Sequence, residues 1–242
     1  MVLYYYIGGL VGDNKGLISD CYATGAVSGN REIGGFAGRN FSYGTIINCY
    51  ATGQVDGDEN VGGFVGINED IYEGIISHCY AAGDVSGTTA VGGFCGRNPD
   101  NHLADPVPII VNCFWNTTVQ THGVTVGIGA NYELVSNVLG RTTSQMQMQS
   151  TFTDYEWDFA QETANGTEDI WHMPYATTGL PMLWWQRDIL GDWIGSYGVG
   201  LEDYALLTDS WMNVDTQCNL AGPDIIDCND LEVFSGQWLE GK

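Results

Sequence analysis

Val61-Gly62-Gly63-Phe64-Val65-Gly66 is one of four versions of a phrase that recurs along the first half of the chain, and its recurrence decides the fold. The others are Ile7-Gly8-Gly9-Leu10-Val11-Gly12, Ile33-Gly34-Gly35-Phe36-Ala37-Gly38 and Val91-Gly92-Gly93-Phe94-Cys95-Gly96. A second phrase alternates with it: Cys21-Tyr22-Ala23-Thr24-Gly25, Cys49-Tyr50-Ala51-Thr52-Gly53, Cys79-Tyr80-Ala81-Ala82-Gly83, and the variant Cys113-Phe114-Trp115. From each cysteine to the next Gly-Gly the distance is 13 residues, whereas from Gly-Gly to the next cysteine it runs 13, 15, 17 and 21. One half of the repeat has fixed length. The other absorbs insertions such as Asn98 to Pro108, which places the insertions in loops on one side of a stack.

Short runs such as Thr45-Ile46-Ile47 and Ile109-Ile110-Val111, bounded by Gly, Asn and Asp, read as strands of about five residues. One such repeat cannot satisfy its own backbone, so neighbouring repeats must pair strand on strand. The chain is accordingly read as mainly β: a β-solenoid of about four coils over 1–120, a Trp-rich capping region over 121–190 and a small helical pair over 191–242.

Stacking sets like residues in ladders about 4.8 Å apart. Cys21, Cys49, Cys79 and Cys113 share a face with the small Ala23, Ala51 and Ala81. They read as buried small hydrophobes, since the C-x₂-C spacing of structural zinc sites is missing. Tyr22, Tyr50, Tyr80 and Phe114 lie one residue on, hence on the opposite face. They are either a sheet-stabilising aromatic stack or a platform for stacking sugar rings, and they are the candidate glycan-binding residues. Asn14, Asn40, Asn68 and Asn98 follow each Gly-Gly phrase at constant offset. They are expected at the turns, tolerating left-handed backbone and hydrogen-bonding along the stack.

Seven Lys and Arg stand against 30 Asp and Glu, a net charge of −23, which repels nucleic acid and anionic membrane surfaces. Residues 1–105 hold 4 basic and 12 acidic side chains and 106–242 hold 3 and 18, so acidity rises toward the C-terminus. No run approaches the roughly 20 apolar residues of a membrane helix, so membrane insertion is not expected. Residues 1–10 lack a basic n-region and a small-residue cleavage site. Export is therefore inferred, with this chain as the downstream part of a longer secreted protein.

The phrases Gly62-Gly63-Phe64-Val65-Gly66 and Asn48-Cys49-Tyr50-Ala51-Thr52-Gly53 resemble the bacterial GLUG-motif repeat, and the resemblance covers about residues 7–118. It implies an extracellular or cell-surface protein in which the repeat is a stalk or adhesive spacer, sometimes beside an IgA-peptidase domain. The His-Glu-x-x-His of such a peptidase does not occur in this sequence.

All eight Trp lie at or after position 115, so large aromatics replace glycine ladders as the means of building a core. Trp157-Asp158-Phe159, Ile170-Trp171-His172 and Pro181-Met182-Leu183-Trp184-Trp185 are expected to cap the solenoid and hide its last strand. Thr142 with Gln145 reads as a capping box opening a helix at about 143–150. Residues 200–212 and 227–239 are faintly duplicated, with apolar residues at helical spacing. This pair resembles a degenerate dockerin-like module, which implies calcium loops and a cohesin-like partner. Asn219, Ala221 and Pro223 stand where oxygen ligands belong, and a hard cation needs six or more oxygens. No cofactor is therefore expected, Asp227 and Asp230 being the residual calcium candidates. Cys218 and Cys228, ten residues apart, are the disulfide candidate for an oxidising compartment.

Catalysis is not expected: His78, His102, His122 and His172 are scattered, no Gly-x-Ser-x-Gly appears, and Asp56, Asp58, Asp70 and Glu73 fall in variable turns. The leading expectation is a non-catalytic structural or adhesion spacer, outside the cell or on its surface, with a glycan or protein partner. The rivals are a carbohydrate-binding module using the tyrosine face, or part of a larger secreted polysaccharide-active or peptidase protein.

Overall fold

The computed structural model describes residues 5–69, 74–99, 109–131, 136–160, 162–174 and 179–186, and the chain divides into two compact units, 1–184 and 185–242. Asp227, Asp230, Cys218, Cys228 and the duplicated segments lie outside the described residues, as do His102, Asp70 and Glu73. All four copies of each repeat phrase belong to the first unit.

Each coil turns through short strands, in the first β1 (Tyr5–Gly8), β2 (Val11–Asn14), β3 (Leu17–Ser19), β4 (Tyr22–Ala23) and β5 (Val27–Ser28). The second repeats them as β6 (Arg31–Gly34), β7 (Ala37–Phe41), β8 (Thr45–Ile47), β9 (Tyr50–Ala51) and β10 (Val55–Asp56). The third has β11 (Glu59–Gly62), β12 (Val65–Glu69), β13 (Ile75–Ser77), β14 (Tyr80–Ala81) and β15 (Val85–Ser86). In the fourth, β16 (Thr89–Gly92) and β17 (Cys95–Asn98) lead to β18 (Ile109–Asn116), one strand that pairs with both β13 and β14. Every ladder among these four coils is parallel and in register: Ile18, Ile46, Ile76 and Ile110 align, as do Ala23, Ala51, Ala81 and Trp115. The expected mainly-β solenoid of about four turns is thus the observed fold.

Two inner cores run along the stack. Phe36, Phe64 and Phe94 form one column with centroids 4.8 and 4.9 Å apart, the separation of paired strands, and the cysteine and alanine columns pack against it. Val27, Ile33, Val55, Val61 and Val85 form the second. Across the interior from the alanines lies the second glycine of each phrase. A Cβ on Gly35 would sit 3.1 Å from Ala51 Cβ and 2.2 Å from the Gly63 carbonyl oxygen, so the position has no room for a side chain.

The left-handed backbone does not fall on the asparagine ladder, which lies within β2, β7, β12 and β17. It falls on two other columns: Tyr6, Glu32, Asn60 and Ala90 at φ 57°, 55°, 55° and 53°, and Asp20, Asn48, His78 and Asn112 at 53°, 54°, 51° and 52°. The ladder itself forms as expected. Asn14 Nδ2 donates to Asn40 Oδ1 at 2.9 Å, Asn40 to Asn68 at 3.0 Å and Asn68 to Asn98 at 3.2 Å, all four residues being buried.

After β18 the chain adds a partial fifth rung, which the repeat phrases did not announce. β19 (Ile128–Asn131) pairs with β17 and β20 (Ser136–Arg141) with β18. Ile128 stands opposite Cys95 and Asn131 opposite Asn98, so Val124 to Asn131 occupies the place of Val91 to Asn98 with its glycines shifted. The Phe column ends at Gly127, and Trp115 fills the space, its indole Nε1 3.0 Å from where a Gly127 Cβ would be.

Candidate functional site

The tyrosine column was the sequence's clearest candidate for a binding surface. Tyr22, Tyr50, Tyr80 and Phe114 are register partners. Tyr22 and Tyr50 stack at 5.2 Å with planes 12° apart, Tyr50 and Tyr80 at 4.9 Å and 1°. Strand alternation forces this, because each neighbouring alanine enters the core and turns the ring outward.

The chain covers that outward face itself. The predicted capping box forms, Gln145 N–H reaching Thr142 Oγ1 at 3.3 Å and Thr142 N–H reaching Gln145 Oε1 at 2.9 Å. The expected single helix is two short turns, α1 (Thr143–Met146) and α2 (Ser150–Thr153). They turn Met146 and Phe152 inward, where Trp157, Phe159, Trp171 and Leu183 join them against Tyr50, Tyr80 and Phe114 in one apolar cluster. The hairpin of β21 (Trp171–His172) and β22 (Met182–Leu183) closes it.

Tyr50, Tyr80 and Phe114 are 5%, 1% and 0% exposed, and Tyr22 is half-buried. The cap, and not an open platform, meets three of the four candidate rings. Phe152 and Trp157 approach Phe114 edge-on, both at 65°, the favourable arrangement of aromatic quadrupoles. Two hydrogen bonds fasten the layers: Tyr80 Oη donates to the Pro181 carbonyl at 2.7 Å, and Trp157 Nε1 to the Asn112 carbonyl at 2.9 Å. Burial pushes the Tyr80 phenol well above its ordinary pKa, so it remains a donor. Burying each ring fully stabilises the contact by about 1.5–3 kcal/mol. The expected cap thus covers the flank of the stack, while the fifth rung lies at its end.

The cysteine column is a set of free thiols. Cys21, Cys49, Cys79 and Cys113 each place Sγ 3.0–3.2 Å from the carbonyl two residues before, a weak donor satisfied locally. Burial raises the Cys79 pKa well above its ordinary value and pushes Cys95 up to about 12. Thiols held protonated are poor nucleophiles and poor metal ligands. Among the described residues no three His, Cys, Asp or Glu side chains are grouped to hold a metal ion.

The remaining titratable groups are dispersed. His122 meets Asp84 at 3.1 Å on the surface, His172 lies in β21, and Asp56 and Asp58 accept from Ser86 and Asn30. Arg39 grips both Asp13 oxygens at 2.9 Å and Arg31 reaches Glu59 at 2.9 Å. His78, on the solenoid side, faces the cap closely, its ring 6.1 Å from Trp157.

The model of the GLUG motif matches residues 4–28, 29–56 and 57–86. Each matched segment coincides with one coil, β1–β5, β6–β10 and β11–β15, so the sequence unit of the motif is one turn of the solenoid. No curated protein and no solved structure matches the chain.

Proposed function

We propose that this chain, whose coils are GLUG-motif repeats, serves as a non-catalytic structural or adhesive element of an extracellular or cell-surface protein. The observation that carries this reading is that the chain's own residues occupy its most regular surface. The tyrosine column, which an exposed glycan platform would leave open, is the foundation on which Met146, Phe152, Trp157, Phe159, Trp171 and Leu183 are packed. The repeat thereby becomes a stiff element with its side chains committed to internal columns. The buried, protonated thiols support the same reading, since they supply packing and not chemistry.

The test is protease treatment of intact cells expressing the full-length protein. Peptides from residues 5–184 are expected in the released fraction, and their recovery only after lysis overturns the surface location. Incubating the purified chain with acidic polysaccharides and with protein substrates is expected to release no reducing ends and no new amino termini. Turnover abolished by a single carboxylate substitution overturns the non-catalytic reading.

A further inference from the structure

A cleft of about 370 Å³ opens where the end of β20 meets α2, within the size range of small-ligand sites. Arg141, Ser150, Thr151, Asp154 and Tyr155 line it. The short helix supplies most of that lining. It turns Phe152 into the apolar cluster, so positions 150 and 154, one turn apart, share its outward side, where both are exposed. Arg141 closes β20 opposite Asn116 and is held by aromatic rings. Its guanidinium carbon lies 5.8 Å from the Phe114 ring and 5.9 Å from the Tyr155 ring, while Nη2 donates to Tyr155 Oη at 3.3 Å and Nη1 to the Gly140 carbonyl at 3.0 Å.

Those two bonds engage two of the five N–H groups of the guanidinium. Among the described residues Arg141 forms no ion pair, and no side chain donates to the Asp154 carboxylate. A guanidinium and a carboxylate thus line one cleft without closing on each other, in a chain where 7 Lys and Arg stand against 30 acidic residues. Neutral groups complete the lining. Thr151 Oγ1 donates to the Gln145 carbonyl at 2.6 Å and keeps its lone pairs as acceptors, while the Ser150 hydroxyl can both donate and accept.

We propose that this cleft binds a neutral sugar residue of a glycan, its hydroxyls bridging Arg141 and Asp154 and its ring set against Tyr155. A sugar hydroxyl donates and accepts at once, which a donor-only guanidinium and an acceptor-only carboxylate in one cleft together require. A simple anion gains from Arg141 but meets Asp154, and a simple cation the reverse. A zwitterion satisfies both charges and leaves the two hydroxyls and the Tyr155 ring unmatched, whereas a polyol fits the whole lining. The site is distinct from the tyrosine column that the cap buries, and it stands independently of the surface-spacer reading.

The test titrates the full chain with the methyl glycosides of glucose, galactose, mannose and N-acetylglucosamine, and with glycine and sodium sulfate as charged counterparts, followed by calorimetry and amide chemical shifts. At least one glycoside is expected to saturate at roughly millimolar concentration or below, with shifts centred on residues 141 and 150–155 and with glycine and sulfate at least tenfold weaker. Asp154→Asn, at an exposed position, preserves side-chain size and is expected to weaken binding about tenfold through loss of a charge-assisted hydrogen bond. Arg141→Lys keeps the charge without the planar fork and is expected to weaken it several-fold; Asp154→Asn decides the matter if the lysine loosens the cap. Saturation by none of the four glycosides, equal or tighter binding of glycine or sulfate, shifts centred on Tyr22, or unchanged affinity in Asp154→Asn overturns the proposal.

Discussion

Replacing Trp157 by alanine tests whether the cap is a layer laid on a self-sufficient solenoid. The indole is fully buried, 4.6 Å from Trp171, 4.9 Å from Phe152 and 5.7 Å from Phe114 between ring centroids. Truncating a buried aromatic to alanine costs about 3–5 kcal/mol, and the lost bond to the Asn112 carbonyl adds about 0.5–1.5 kcal/mol. The coils keep their own backbone ladders, so the loss of about 4–6 kcal/mol should fall on cap opening alone. At about 1.4 kcal/mol per decade, amide exchange in residues 143–172 should quicken by roughly a thousandfold or more, up to the limit set by the cap's total stability. Native-state hydrogen exchange measures this, with Trp157→Phe as a milder control and the amides of β7 and β12 as internal reference. Equal acceleration in β7 and β12 would mean that coils and cap open as one unit, and unchanged exchange in the cap would mean that Trp157 does not hold it. Either result refutes a cap layered on an independent stack.

Gly93→Ala sets a Cβ about 2.0 Å from the Trp115 ring and should cost about 1–3 kcal/mol of overpacking, whereas Gly25→Ala, with nothing within 4 Å, should shift the thermal midpoint far less. Asn68→Ala breaks the amide ladder at two buried bonds, a loss of about 1–3 kcal/mol readable by denaturant titration; a midpoint equal to that of the native chain would mean that the ladder does not stabilise the stack. The buried thiols make stability fall in alkali. Cys95 has a folded pKa of about 12 against 9.0 for the free thiol, so its contribution is complete below pH 9 and is lost progressively up to about pH 12. The loss is at most about 1.4 kcal/mol per pH unit for each such thiol. Cys95→Ala should flatten that decline, and an unchanged slope would place it elsewhere.

The stack was legible in the sequence because a solenoid repeats its contacts, so Cys49 and Cys79 advertise their common column by common identity and spacing. The left-handed columns were not. Tyr6, Glu32, Asn60 and Ala90 share a φ near 55° but no common chemistry, since the position constrains backbone and leaves the side chain free, and in the column of Asp20, Asn48, His78 and Asn112 the Asp and Asn residues that tolerate such backbone are interrupted by His78. The fifth rung escaped for a related reason. Once Trp115 takes the space of the Phe column, the Gly-Gly-Phe signature is no longer needed, and Val124 to Asn131 keeps a glycine, Gly129, in the place of Gly96 and an asparagine opposite Asn98. The cap's composition was visible, but its seat was not: Tyr80 and Pro181 lie 101 residues apart, and a long-range contact made once leaves no period to read.

The repeat geometry also explains why the cap settles where it does. In the first three coils the left-handed residue ahead of the cysteine breaks the strand, separating β3 from β4, β8 from β9 and β13 from β14, whereas β18 runs on through Asn112. At Asn112 the carbonyl accepts Trp157 Nε1, and one coil earlier His78 of the same column borders Trp157. The turn column is therefore the line along which a periodic stack meets a non-periodic partner. Interior columns must stay uniform because every rung is a neighbour of the next, whereas this line meets a partner that does not repeat and can vary.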